Sequence, residues 1–429
     1  MEPVKAIGQA RDPLATAVLL LLGLPWLIYL NANCYVTASV RLPIPAFLVG
    51  LLLIVLGALG RLRRPELSMF PPWLLAVLAV MALSAVRRPL ENAVYVAVLY
   101  STFLLFRLFV GADPRRFALV CRIFVAALIL SGGFLFLSHA DPLLGLMIRG
   151  RLFGPQVLTS PNPTGLAVLI HLFGYQAAAL GGVCVAMAYQ SGRRGWLGVW
   201  RQLLWLALCA AVVMLGWQRS ALLGSALALA TIVARRGARP VLAALALSLL
   251  LAGILAMTGG GSAWGERTLI AKEQADVHET YRFELQAETL KIVARNPWGL
   301  DLIGQQWGPE IYEWGGALSQ GNVSGHNAYL MKVAYLGLPV LLLIGYTLWK
   351  TGRAIWRNGL APGSSETLSW PNVLSLALIA TLANALLHNA SLYTAEGATG
   401  FCFVAFWHWM DVRGTWEIGR SLGREAVPA

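Results

Sequence analysis

The sequence predicts an all-α polytopic membrane protein with about 12 transmembrane helices and one long structured loop, and three observations predict it. Of 429 residues, 58% are hydrophobic and only 12% are charged, too few charges to solvate the surface of a water-soluble globule of this length. Apolar runs of about 20 residues, the length that crosses a hydrocarbon core as a helix, recur through the chain. Basic residues gather in every second connection between those runs, as the positive-inside rule requires of a chain threaded back and forth.

The runs fall near 14–30, 44–60, 72–86, 90–110, 117–138, 163–189, 201–217, 219–235, 240–257, 327–349, 371–388 and 397–412. The pairs around Arg87 and Trp217 have almost no loop between them. The first run follows only Lys5 and Arg11 and lacks a small-residue cleavage site, so it reads as a retained span. Residues 1–257 thus carry nine predicted spans, 258–325 the polar loop with amphipathic helices, and 326–429 three more spans and a tail. Five scattered cysteines, Cys34, Cys121, Cys184, Cys209 and Cys402, have no paired spacing and read as small packing residues.

With the N-terminus in the cytoplasm, the inner segments carry Lys5 and Arg11; Arg61, Arg63 and Arg64; Arg107, Arg115 and Arg116; and Arg193, Arg194 and Arg201. Arg235, Arg236 and Arg239, then Lys350, Arg353 and Arg357, and finally Arg413, Arg420 and Arg424 continue the series. Both termini are then cytoplasmic and the long loop faces outward. The net charge of +13 is mostly this topology, and no nucleic-acid partner is needed to explain it. Arg87, Arg88, Arg149, Arg151, Arg219 and Arg282 fall on the other side. Singly, each reads as a snorkelling anchor. Converging on one face, they would bind an anionic group at the outer leaflet, such as the pyrophosphate of a lipid carrier.

Four stretches stand out. At 150–170, Pro161 and Pro163 bracket Asn162 and force an extended or turned backbone before the next helix. Trp217-Gln218-Arg219-Ser220 is a turn too short to hide a charge, so Arg219 must reach water or an anion. In the long loop, Asp276 and Glu279 read as a capping-box-like start to a helix reaching Ala294, with Tyr281, Leu285 and Ile292 on one stripe and Phe283, Ala287, Leu290 and Ala294 nearby. Asn296-Pro297 ends it, and Arg282 falls in its early turns, where the helix dipole disfavours a cation. Trp298, Trp307, Tyr312 and Trp314 follow, as an interfacial belt, a small core, or a platform for a sugar ring. His326-Asn327 then opens the next span. A histidine near a helix N-terminus stays neutral near pH 7, either as a cap or as a proton acceptor.

Taken together, the GRLFG stretch with Pro161-Asn162-Pro163, the short QRS turn, the loop helix YRFELQAETLKIVARNPWG and the HNAYLMKVAYLGLP entry resemble the O-antigen ligase and polymerase family of bacterial envelope enzymes. The motifs cover roughly residues 150–345, and the likeness of topology covers the whole chain. The resemblance implies a glycosyltransferase of the bacterial inner membrane with its site facing the periplasm. The donor would be a glycan on undecaprenyl pyrophosphate and the acceptor lipid A–core. It implies that His326 is the base toward the acceptor hydroxyl and that Arg219 and Arg282, with Arg87 and Arg88 nearby, hold the donor pyrophosphate. Asn327, Asn162, Tyr281 and Trp307 are candidate sugar or supporting contacts. His326-Asn327 and Gly337 fit the ligase branch whereas Val340 departs from it, which leaves polymerase as the alternative.

Such a reaction displaces a lipid pyrophosphate from an anomeric carbon by a sugar hydroxyl, with inversion. The site must neutralise the leaving group and orient the nucleophile, tasks for arginine forks and a neutral histidine. No pair of acidic residues at Asp-x-Asp spacing occurs, so no metal or other cofactor is expected. A flippase or transporter for a lipid-linked substrate is the rival from another class. It would place ionisable groups near the midplane, whereas these spans are nearly free of acids and show no internal repeat.

Overall fold

The computed structural model describes residues 12–32, 44–62, 89–154, 164–167, 170–191, 195–216, 218–236, 280–299, 327–360, 369–388 and 397–425. Among these, every regular element is a helix. α1 (Pro13–Val18) passes through a π turn at Leu19–Gly23 into α2 (Leu24–Ala32), followed by α3 (Ile44–Ala58). α4 (Pro89–Leu104) ends in a second π turn at Leu105–Val110, and α5 (Pro114–Ala140), α6 (Pro142–Phe153), α7 (Ile170–Ser191), α8 (Gly195–Leu215) and α9 (Arg219–Arg236) follow. Next come α10 (Thr280–Arg295), α11 (Ala328–Leu336), α12 (Leu338–Ala354) with a π turn at Ile355–Gly359, α13 (Trp370–Asn384) and α14 (Gly397–Glu425).

Three Asp-Pro steps start three of these helices in the same way. Asp12, Asp113 and Asp141 are extended N-caps whose carboxylates accept from backbone N–H groups one turn in. The proline that follows each fills a first-turn position where its missing N–H costs nothing.

Among the described residues, three helices are long and apolar enough to cross a membrane: Pro13–Leu30, Pro114–Ala140 and Gly198–Leu215. Ile44–Ala58, Ala97–Val110 and Trp370–Asn384 are apolar but shorter. Leu21, Ile54, Leu204 and Leu342 point outward with 69–77% exposure, an apolar exterior that water alone does not favour. Against the twelve expected spans, runs 72–86 and 240–257 lie outside the described residues. The expected run 163–189 begins instead with a buried turn at 164–167, and its helix starts at Ile170. The expected span 327–349 is broken: Gly337 sits at φ 84° between α11 and α12. A Cβ there would lie 2.5 Å from the carbonyl carbon of Trp298, and Leu338 N–H donates to the Pro297 carbonyl at 2.8 Å. The turn that follows α10 therefore occupies the space a continuous helix would need.

α5 fixes the two ends of the bundle. Its 27 residues span about 40 Å. At its start, Asp12 pairs with Arg61 at 3.3 Å and Arg116 at 3.8 Å, and nearby Arg107 pairs with Asp411 at 2.6 Å. These are residues that the charge pattern assigned to one side. At the other end, His139 Nε2 lies 2.9 Å from the Leu215 carbonyl, next to the Gln218-Arg219 turn.

The core is the packing of α13 against α7 and α9. Between Val373 and Ala380 on α13, the apolar side chains Val373, Leu374, Leu376, Ala377, Leu378 and Ala380 are all buried. Glycines let the backbones touch. A Cβ on Gly182 of α7 would stand 2.4 Å from the Leu376 carbonyl oxygen, and one on Gly224 of α9 would stand 2.4 Å from that of Ala380. Small residues at such crossings allow the close approach by which apolar helices associate. Gly182→Ala and Gly224→Ala should each cost about 1–3 kcal/mol by overpacking. Gly133→Ala, which meets nothing within 4 Å, should not destabilise. Unfolding temperatures of the three purified variants in detergent check this.

Candidate functional site

The C-terminal end of α13 together with the turn that follows it, residues 382–388, is where three of the singled-out stretches meet. The first is the QRS turn. Gln218 is buried, and its Nε2 donates to the Gly216 carbonyl at 2.9 Å, which turns Oε1 the other way. Oε1 and His388 Nε2 each lie 2.8 Å from where a Cβ on Gly174 would stand. Only glycine at 174 lets α7, the turn and the end of α13 close together at this point. Arg219 is the first residue of α9 and is half-buried beside them.

The second is the loop helix. α10 runs over Thr280–Arg295, close to the expected Asp276–Ala294, and stops where Asn296-Pro297 predicts. Its buried face is narrower than the sequence pattern implies. Leu285, Thr289, Ile292 and Val293 are buried, whereas Ala287, Leu290 and Ala294 are exposed. The helix packs on the slim α11, which covers one stripe only. Gln286 Nε2 donates to the Leu386 carbonyl at 3.4 Å. Tyr281 and Arg282 belong to the first turn of α10, with Arg282 one turn before Gln286 on the same row; their side chains lie outside the described residues.

The third is the His-Asn entry. Asn327 is an extended N-cap whose Oδ1 accepts from Tyr329 N–H at 3.0 Å and Leu330 N–H at 3.1 Å. That acceptor is thus committed to the helix. Ala328 N–H donates to the Ala385 carbonyl at 2.9 Å, and the Tyr329 hydroxyl donates to the Leu382 carbonyl at 2.7 Å. His326, Arg87, Arg88, Asn162 and Trp307 lie outside the described residues. Trp298 stands 82% exposed on the turn after α10, so it belongs to no small core.

The stretch at 150–170 contributes differently. The turn at 164–167 is buried and held by its own polar groups. Gly165 takes φ 53°, Leu166 N–H donates to Ser131 Oγ at 3.0 Å, and Thr164 Oγ1 donates to the Ala167 carbonyl at 3.0 Å. Arg149, one of the basic residues that the charge pattern leads one to expect on the outer side, is buried and donates to that same carbonyl at 3.1 Å. Its guanidinium braces the turn from α6.

Sequence reasoning passed over Asn384 and His388. A signal for them exists: Asn372, Ser375, Thr381, Asn384 and His388 punctuate an otherwise apolar run at three- to six-residue intervals, and polar side chains inside such runs mark functional positions. Compared with family models and with curated proteins, the chain matches none.

Asn327→Ala should remove the α11 cap at a cost of about 1 kcal/mol, and Asn327→Asp should preserve it. Amide exchange at Tyr329 and Leu330 reads this directly: faster in the alanine variant and unchanged in the aspartate variant.

Proposed function

We propose that this chain is a membrane glycosyltransferase of the O-antigen ligase type, which moves a glycan from a polyprenyl pyrophosphate to a sugar hydroxyl of a lipid-anchored acceptor. The observation that carries the reading is the convergence on residues 382–388 of the QRS turn, the loop helix and the His-Asn entry, three stretches separated by tens of residues in sequence. Their residue types divide the work that glycosyl transfer needs. Arg219 and Arg282 neutralise the departing pyrophosphate. His326, directly before the capping Asn327, takes the proton of the attacking hydroxyl as the new glycosidic bond forms and the bond to phosphate oxygen breaks. A positioned base contributes about 100- to 10,000-fold. One direct displacement inverts the anomeric centre.

His326→Ala should abolish transfer in purified protein while leaving its unfolding temperature unchanged. Arg219→Ala and Arg282→Ala should raise KM for the donor. The assay supplies a polyprenyl-pyrophosphate glycan and lipid A–core in detergent, and the product decides among the readings. Glycan on the acceptor is ligation, longer glycan on the carrier is polymerisation, and no new glycosidic bond points to a transporter. Normal turnover by His326→Ala would remove the histidine from its role.

A further inference from the structure

We propose that the end of the bundle opposite the candidate site binds an anionic phospholipid whose headgroup carries a hydroxyl, with the phosphate on Arg235 and the hydroxyl on Asn372; this site is independent of glycosyl transfer. Arg219 begins α9 and Arg235 lies in its last turn, so about 24 Å of helix separates the two ends. A cleft of about 250 Å³, its open mouth included, lies at the Arg235 end. Its lining includes Ala186 of α7, Ile232 and Arg235 of α9, Asn372 and Leu376 of α13, and Leu360 just past the π turn of α12. Asn372 is 6% exposed, and its Oδ1 is buried with no hydrogen-bond partner among the described residues. One turn further along the same side of α13, the buried Ser375 Oγ is unpaired too. A buried acceptor left unpaired is costly to keep, so such a group marks a place where a ligand or water completes it.

The surroundings of Asn372 say which ligand. Arg235 is exposed, its guanidinium lies over the Trp356 ring 5.4 Å from the centroid, and its N–H groups meet no acceptor among the described residues. A guanidinium only donates and a phosphate only accepts, so an anion completes Arg235. Asn372 Oδ1 only accepts, so the group beside it must donate. The interior of the cleft admits a group of about a water's size, which suits one hydroxyl. An ammonium group there would meet Arg235 as a like charge. The tail of the ligand has its own surface. Leu342, Trp349 and Trp356 recur every seven residues along α12 and its π turn, on one side of the helix, and are 77%, 54% and 44% exposed. They form an apolar track of about 21 Å that ends at Arg235. Arginine and tryptophan meet where apolar surface gives way to water, which is the level of a lipid phosphate. A soluble phosphate ester would use the cation and the amide but not the track, so the ligand is a lipid.

The test measures binding, not turnover. Purified protein, stripped of lipid in detergent, is titrated with phosphatidylglycerol, phosphatidic acid, phosphatidylcholine and soluble glycerol 3-phosphate, and native mass spectrometry reads what stays bound. Phosphatidylglycerol should bind about tenfold more tightly than phosphatidylcholine or glycerol 3-phosphate. Arg235→Gln should weaken both anionic lipids by about tenfold, the loss of one charge-assisted pair. Asn372→Leu should weaken phosphatidylglycerol by about fivefold and leave phosphatidic acid unchanged, because phosphatidic acid has no headgroup hydroxyl to lose. Equal retention of phosphatidylglycerol and phosphatidylcholine would mean that water alone fills the cleft, and would overturn the site. Glycerol 3-phosphate that binds as tightly as phosphatidylglycerol would overturn the lipid in favour of a soluble phosphate ester. Equal weakening of both anionic lipids by Asn372→Leu, or of neither, would overturn the placement of the hydroxyl. Arg235 is exposed, so Arg235→Gln remains a test should Asn372→Leu fold poorly. Unchanged affinity for phosphatidylglycerol in Arg235→Gln overturns the site by itself.

Discussion

Backbone contact between α13 and its two neighbours is the constraint on which the described structure depends. Helices with apolar surfaces on every side gain little from burying one apolar face in preference to another when their surroundings are apolar too, so dispersion and close fit must hold them together. Gly182 and Gly224 supply that fit by removing the side chains that would keep α7 and α9 away from α13. Once the three helices are seated, the position of residues 382–388 is fixed, and so is everything that hydrogen bonds to them.

The polar residues of α13 acquire meaning from the same seating. Thr381 satisfies itself by donating to the Leu378 carbonyl at 3.1 Å, a local solution available in any helix. Asn384, one turn nearer the end, has no such solution among the described residues. The last turn also gives away the carbonyls of Leu382, Ala385 and Leu386 to Tyr329, Ala328 and Gln286. Carbonyls at a helix C-terminus have no partner within the helix, so they are the natural anchors for other elements. This is the physical reason that α13 ends in a junction.

The sequence made local features legible. The Asn296-Pro297 stop and the placement of basic residues at one end of α5 follow from rules that act over a few residues. Features created by distant contacts were hidden. A glycine inside an apolar run looks like any small packing residue, so the break at Gly337 could be read only once the Trp298 carbonyl was seen against it. The exposed Ala287 and Leu290 were misplaced because periodicity reports a helix's apolar face but not the width of what covers it. His388 comes up against Gly174 beside Gln218, each more than a hundred residues away along the chain.

The break at Gly337 has a mechanical consequence. α11 is only nine residues long and is clamped at both ends, to the Ala385 carbonyl through Ala328 and to the Pro297 carbonyl through Leu338. α10 is in turn tied to Leu386 through Gln286. The two helices and the end of α13 thus close a ring of hydrogen bonds. A displacement of α10 is therefore not absorbed by bending one long helix but is passed through α11 to the cap at Asn327.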